Sequence, residues 1–113
     1  MIEEYHFGSI TILGKVYHYD VEVRWSGEVL KWQREESHSV VKEDIKRAIE
    51  EEPGLIIIGT GESGFMNVLE ETKEKIISQG IGLIIEKTKK AIEIFNKEQK
   101  NGRKIIGLFH LTC

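Results

Sequence analysis

A chain of 113 residues with a single cysteine, Cys113, cannot close an internal disulfide and lacks the clustered ligands of a structural zinc site. It also has no apolar run near the roughly 20 residues that cross a bilayer, so no membrane association is expected. Glu3, Glu4 and His6 interrupt the first residues before an apolar core can form, which argues against a signal peptide. A reducing cytoplasm is the compartment these absences suggest.

Charge of one sign is missing as well. Sixteen basic residues are scattered among 19 acidic ones for a net charge of −3, so no field exists to draw in a phosphate backbone, and nucleic acid is not expected as a partner. Aspartate is scarce, found only at Asp20 and Asp44, and Asn and Gln are few, whereas Glu, Lys and Ile are used heavily. That balance is the one reported for proteins of heat-loving organisms. No Ser/His/Asp set or carboxylate pair has its geometry forced by spacing, so no catalytic residue, metal or cofactor is assigned.

What is present describes one globular domain spanning residues 1–113, with 40% hydrophobic and 31% charged residues. From Ser9 to Gln33 the period is two. Ile10 and Ile12 mark a strand ended by Gly14-Lys15. Tyr17, Tyr19, Val21, Val23 and Trp25 then alternate with His18, Asp20, Glu22 and Arg24, which reads as one strand with an apolar and a wet face. Ser26-Gly27 fits a tight turn, and Glu28 to Gln33 returns. This third reads as an antiparallel meander.

Beyond Ser37 the period becomes helical, with Val41, Ile45, Ala48 and Ile49 on one face and Ser39 as the cap, until Pro53-Gly54 stops it. Leu55 to Ile58 is a buried strand. Leu69, Lys73, Ile76 and Ile77 form the stripe of a second helix, started by a capping box of Asn67 and Glu70 and stopped at Gly80. Leu83 to Ile85 is another strand. Thr88 is the expected cap of a third helix burying Ala91, Ile92 and Phe95, and Ile105 to Leu111 is a last strand, apolar enough to be central. Right-handed crossovers would make the last three strands parallel, gathering Gly59 to Gly64, Glu86 to Thr88 and His110 to Cys113 on one edge, where open α/β sheets bind ligands. An antiparallel last strand would undo that convergence.

Three stretches carry candidate chemistry. Gly59-Thr60-Gly61-Glu62-Ser63-Gly64 matches G-x-G-x-x-G after a strand, with Glu86 near the roughly 20-residue spacing of a ribose-binding acid. Against a nucleotide site, Phe65-Met66-Asn67 delays the next helix, so no helix start faces the loop. The bland alternative is a glycine turn required by backbone geometry. His110 and Cys113 pair an imidazole with a thiol, although two ligands fall short of the three a catalytic zinc takes from protein. Trp32, Arg34 and His38 bring an aromatic, a guanidinium and an imidazole to a strand-to-helix junction. They could line a cleft, or Arg34 could pair with a neighbouring carboxylate.

Taken together, Gly8-Ser9-Ile10, Tyr19-Asp20-Val21, Trp32 to His38, Leu55 to Gly61, Gly80-Ile81, Thr88 with Ala91 and Asn96, and His110-Leu111-Thr112-Cys113 resemble a known family. It is the small Mth-type domain family of unknown function that includes the adipogenesis-associated domain protein and a mitochondrial complex I assembly factor. The resemblance covers nearly the whole chain. It implies a three-layer α/β fold: a mixed central sheet, built here with βαβ units from the C-terminal two thirds, and an antiparallel β-meander layer from the N-terminal third. It implies no catalytic residue. It points to a non-enzymatic protein-binding or assembly module, with an unknown protein partner or a homodimer, and a respiratory role would rest on analogy alone. The extension that mitochondrial import requires is not expected in this chain. The competing expectation is a small-molecule or nucleotide site walled by Gly59, Thr60, Gly61, Ser63 and Gly64 with Glu86 and His110, with a minor enzymatic activity as its extreme form.

Overall fold

The computed structural model describes residues 1–113, and the chain opens with three short strands, β1 (Ile2–His6), β2 (Ser9–Ile12) and β3 (Lys15–Tyr17). They pair antiparallel in that order as a separate sheet. Next come β4 (Val21–Arg24) and β5 (Val29–Lys31), joined through Ser26-Gly27 as a hairpin. The antiparallel pairing expected of this third is present. The single long strand expected from Tyr17 to Trp25 is not, because it breaks at His18–Asp20 and crosses from one sheet to another. At the break Asp20 accepts hydrogen bonds from other parts of the chain instead of a ladder: its carbonyl from Trp32 N, its carboxylate from Leu111 N.

The wet face of that strand is also corrected. Glu22 is 1% exposed because β4 lies inside the larger sheet, and its carboxylate is held by Arg24 Nε and Arg47 Nε, each at 3.0 Å. A buried carboxylate persists only when it is paired in this way.

A two-residue strand β6 (Ser39–Val40) follows, then a 3-10 turn (Lys42–Ile45) and the short helix α1 (Lys46–Glu50). Ser39 is therefore a strand residue and not a cap. The Val40 carbonyl accepts from Leu69 N and from Thr72 Oγ1, which ties it to a later segment, and Asp44 Oδ2 takes Val41 N from inside the turn. β7 (Leu55–Thr60) is buried at all six residues. β8 (Asn67–Val68) pairs with β6, so Asn67 is not a cap either, and α2 (Glu70–Ser78) starts without a side-chain cap. On α2, Thr72 and Ile76 are buried, Lys73 is half-buried and reaches Glu70, and Ile77 is 61% exposed, outside the stripe expected to hold it.

β9 (Gly82–Glu86), α3 (Thr88–Lys100) and β10 (Ile105–His110) complete the chain. The large sheet has the order β5-β4-β10-β7-β9. β10 is central as expected, parallel to β7 and antiparallel to β4, and β7 is parallel to β9. One face carries Leu55, Ile57, Ile105 and Phe109 under α3 and the three-stranded sheet. The other carries Ile56, Ile58, Ile106 and Leu108 under α1 and α2. Strands covered on both faces favour apolar residues along their length, which is why β7 and β10 read as apolar runs up to their last residues, Thr60 and His110.

Candidate functional site

Because β7, β9 and β10 are parallel, their C-terminal ends meet at Thr60, Glu86 and His110. The side chain that joins them is Thr88, fully buried as the first residue of α3. Its hydroxyl donates to the His110 carbonyl at 2.6 Å and accepts from Gly61 N at 2.8 Å, while its own N–H donates to the Gly61 carbonyl at 3.1 Å. The expected helix cap is therefore a junction between strands. Thr60 adds a bond from its hydroxyl to the Glu86 carbonyl at 3.2 Å.

The glycines approach protein backbone closely. A Cβ on Gly59 would lie 2.9 Å from Thr88 Oγ1, and one on Gly61, which has φ +104°, would lie 2.4 Å from the Cys113 carbonyl carbon. Residues 111–113 occupy that space. Glu62 N donates to the Thr112 carbonyl at 2.7 Å and Phe65 N to the Cys113 carbonyl at 3.0 Å. Gly8 N and the Tyr5 hydroxyl hold the Leu111 carbonyl from the other side, at 2.8 and 3.1 Å. The Tyr5 phenol is pushed up to about 12 by burial first, then by the negative charges of Glu62 and Asp20. Ser63 and the Glu86 side chain are exposed, and Gly64 packs on the Lys87 stem.

Below the tail lies a polar cluster in which His110 is buried and Asp20 and Arg34 are half-buried in the wall of a surface groove. His110 Nδ1 is 2.8 Å from Asp20 Oδ2, Leu111 N donates to Asp20 Oδ1 at 2.8 Å, and Arg34 Nη1 also donates to Oδ2. Burial opposes ionisation of Asp20, but the hydrogen bonds from His110, Arg34 and Leu111 N outweigh it and hold the carboxyl below its usual range. Arg34 Nη2 donates to the Ser37 carbonyl at 3.0 Å and stands 3.3 Å from His110 Nδ1. A carboxylate only accepts and a guanidinium only donates, so Nδ1 gives its proton to Asp20 and the approach of Arg34 Nη2 is not a hydrogen bond; Nε2 stands 3.4 Å from Thr112 Oγ1.

Arg34 is 6% exposed along its side chain and stacks on Trp32 at 4.8 Å, and Trp32 donates from Nε1 to the Asp44 carbonyl. The carboxylate that sequence allowed as a neighbour of Arg34 is thus Asp20. Of the residues singled out from sequence, the structure brings together Gly59, Thr60, Gly61, Trp32, Arg34, His110 and the Cys113 backbone. His38 stays outside, exposed, with Nδ1 3.0 Å from Ser37 Oγ. Cys113 presents its thiol to solvent, and no three His, Cys, Asp or Glu side chains stand close enough to hold a metal.

An Asp–His pair of this kind can orient an imidazole for proton transfer, but His110 is 6% exposed and lines none of the surface grooves. The largest groove, of about 760 Å³, runs between β1 and α3, with Glu62 and Lys87 at the end nearest the glycine loop. Sequence reasoning missed Asp20 and Glu22. A signal for Asp20 was present: in a chain that otherwise uses glutamate, both aspartates accept backbone N–H groups, Asp20 from Leu111 and Asp44 from Val41. A shorter carboxylate reaches backbone with less freedom to lose.

The sequence pattern of a family described as a protein of unknown function (DUF498/DUF598) matches residues 2–110. Among solved structures, the conserved hypothetical protein PH1505 from Pyrococcus horikoshii OT3 is similar at 26% identity and a TM-score of 0.90, with 100% of this chain and 99% of that one covered. A protein named MT938 is similar at 28% identity and a TM-score of 0.86, covering 100% and 98%. An outer membrane protein from Bartonella henselae shares the fold at 19% identity and a TM-score of 0.84, covering 99% and 94%. No helix of the present chain is long and apolar enough to cross a membrane.

Proposed function

The chain belongs to the DUF498/DUF598 family, and from that premise we propose that it is a protein-binding or assembly module that works by contact and not by catalysis. The observation that carries this reading is the state of the strand ends. The position where an open α/β sheet binds ligand is filled by residues 111–113, and beneath them Asp20 accepts hydrogen bonds from both Arg34 and His110. Two aromatic side chains flank that tail and face solvent: Phe7, beside the Gly8 N–H that binds Leu111, and Phe65, whose own N–H binds Cys113. Exposed aromatics suit protein contacts, where such residues are enriched.

Affinity purification with the tagged chain from its native source tests the reading. A reproducible protein partner that is retained by the wild type and lost with Phe65→Ala supports it. No partner, together with turnover of a small molecule by the isolated domain, sinks it.

A second reading, a small-molecule or nucleotide site on the outer side of the Gly59–Gly64 loop, is favoured by the groove that Glu62 and Lys87 border. Thermal shift against a panel of nucleotides separates the two, because a ligand at 100 times its dissociation constant adds about 2.7 kcal/mol of stability.

A further inference from the structure

An edge strand offers unpaired N–H and C=O groups to any other strand, and soluble proteins guard such edges by shortness, lysine, proline, bulges or capping side chains. Three of the four edges of the two larger sheets carry such devices. β1 is capped by Asn96, whose amide takes the Ile2 N–H at 3.0 Å and gives to the Ile2 carbonyl at 2.9 Å. β3 is three residues long and starts at Lys15. β5 is also three residues long, ends in Lys31, and has the Lys31 carbonyl taken by Arg47 Nη2 at 2.8 Å.

β9 has none of these. It runs five residues, Gly82-Leu83-Ile84-Ile85-Glu86, in unbroken register along β7, without lysine, proline or bulge. The one side-chain hydrogen bond it receives, from Thr60, comes from its inner neighbour. Leu83, Ile84 and Ile85 are only half-buried although Leu83 and Ile85 belong to one core face and Ile84 to the other. α2, which packs on β9, leaves Ile77 61% exposed.

We propose that β9 is a self-association edge and that its occupant is β9 of a second copy, antiparallel about a twofold axis at Ile84. The strand is complementary to itself in that register. Leu83 falls opposite Ile85 of the second copy and Ile84 opposite Ile84, which gives apolar cross-strand pairs on both faces. Glu86 falls opposite Gly82, so no two like charges stand directly across from each other, and both edges are satisfied at once in one closed dimer. The two five-stranded sheets become one of ten. The proposal is independent of the role suggested for the tail, because it uses neither residues 111–113 nor Phe7 and Phe65.

Light scattering across a concentration series reads the mass directly, and the account expects twice the 13.0 kDa of one chain at the higher concentrations. Ile84→Cys in a Cys113→Ser background should cross-link on mild oxidation, since opposed residues of an antiparallel pair bring their Cα atoms within disulfide range, about 4.5–5.5 Å. Val16→Cys on the guarded β3 edge, in the same background, should not. Ile84→Lys should abolish the dimer while circular dichroism stays native. A wild type that remains monomeric, or a dimer in which Ile84→Cys cross-links no faster than Val16→Cys, overturns the proposal, and the cross-linking arm decides even if Ile84→Lys fails to fold.

Discussion

Gly61 and Gly8 both adopt positive φ, at +104° and +83°, but their surroundings differ. A Cβ at Gly8 meets nothing within 4 Å, whereas one at Gly61 meets the Cys113 backbone. Gly8→Ala should therefore cost the backbone strain alone, about 1 kcal/mol. Gly61→Ala adds a clash with main chain that cannot rotate away, and about 3 kcal/mol is expected by urea denaturation. Equal losses at the two sites would contradict the packing of the tail on the loop.

Asp20 supplies the pH dependence at this scale. Its folded pKa is lowered, so its stabilising effect is complete above the unfolded value of 3.8 and fades as pH falls below it toward the folded value. Asp20→Asn should lose about 1.5–3 kcal/mol at neutral pH, the range for a hydrogen bond to a charged group. The gap between wild type and variant should narrow in acid below about pH 4, near the usual carboxyl value. Denaturation curves at two pH values check both the size and the sign.

At the scale of elements, Thr88 joins α3 to β7 and β10. Thr88→Val keeps the shape and removes the hydroxyl, leaving Gly61 N and the His110 carbonyl without that partner in a buried place. A loss of about 2–6 kcal/mol is expected, because each of the two unsatisfied buried groups costs about 1–3 kcal/mol. Thr88→Ser retains the hydroxyl and should recover most of it. Sequence marked Thr88 as the start of a helix correctly but gave its hydroxyl the wrong partner, because a cap and a long-range junction use the same residue type at the same place. Ser39 and Asn67 failed as caps for a related reason: their backbones pair with each other across β6 and β8, a contact between residues far apart in sequence.

Across the whole molecule, what was legible followed burial on two faces. β7 and β10 are apolar up to Thr60 and His110 at their ends because both sides of the sheet are covered, and α3 buries Ala91, Ile92 and Phe95 as its period requires. β10 lies parallel to β7, the direction that the crossover connection through α3 from β9 allows. The split between β3 and β4 was hidden because alternation continues through the break: Tyr17 packs on one core and Tyr19 is 43% exposed beyond it. The candidate site was legible as a place, since the three strand ends do converge. Its content was not, because Asp20 and the tail lie about ninety residues apart in sequence and meet only when β4 pairs with β10.

The central claim is that the glycine loop binds the chain's own tail. Amide hydrogen exchange at Glu62 and Phe65, followed by NMR with and without a nucleotide, tests it most directly, since these N–H groups donate to Thr112 and Cys113. The account predicts slow exchange at both amides, unchanged by nucleotide. Fast exchange in the free protein that slows when nucleotide is added would contradict it.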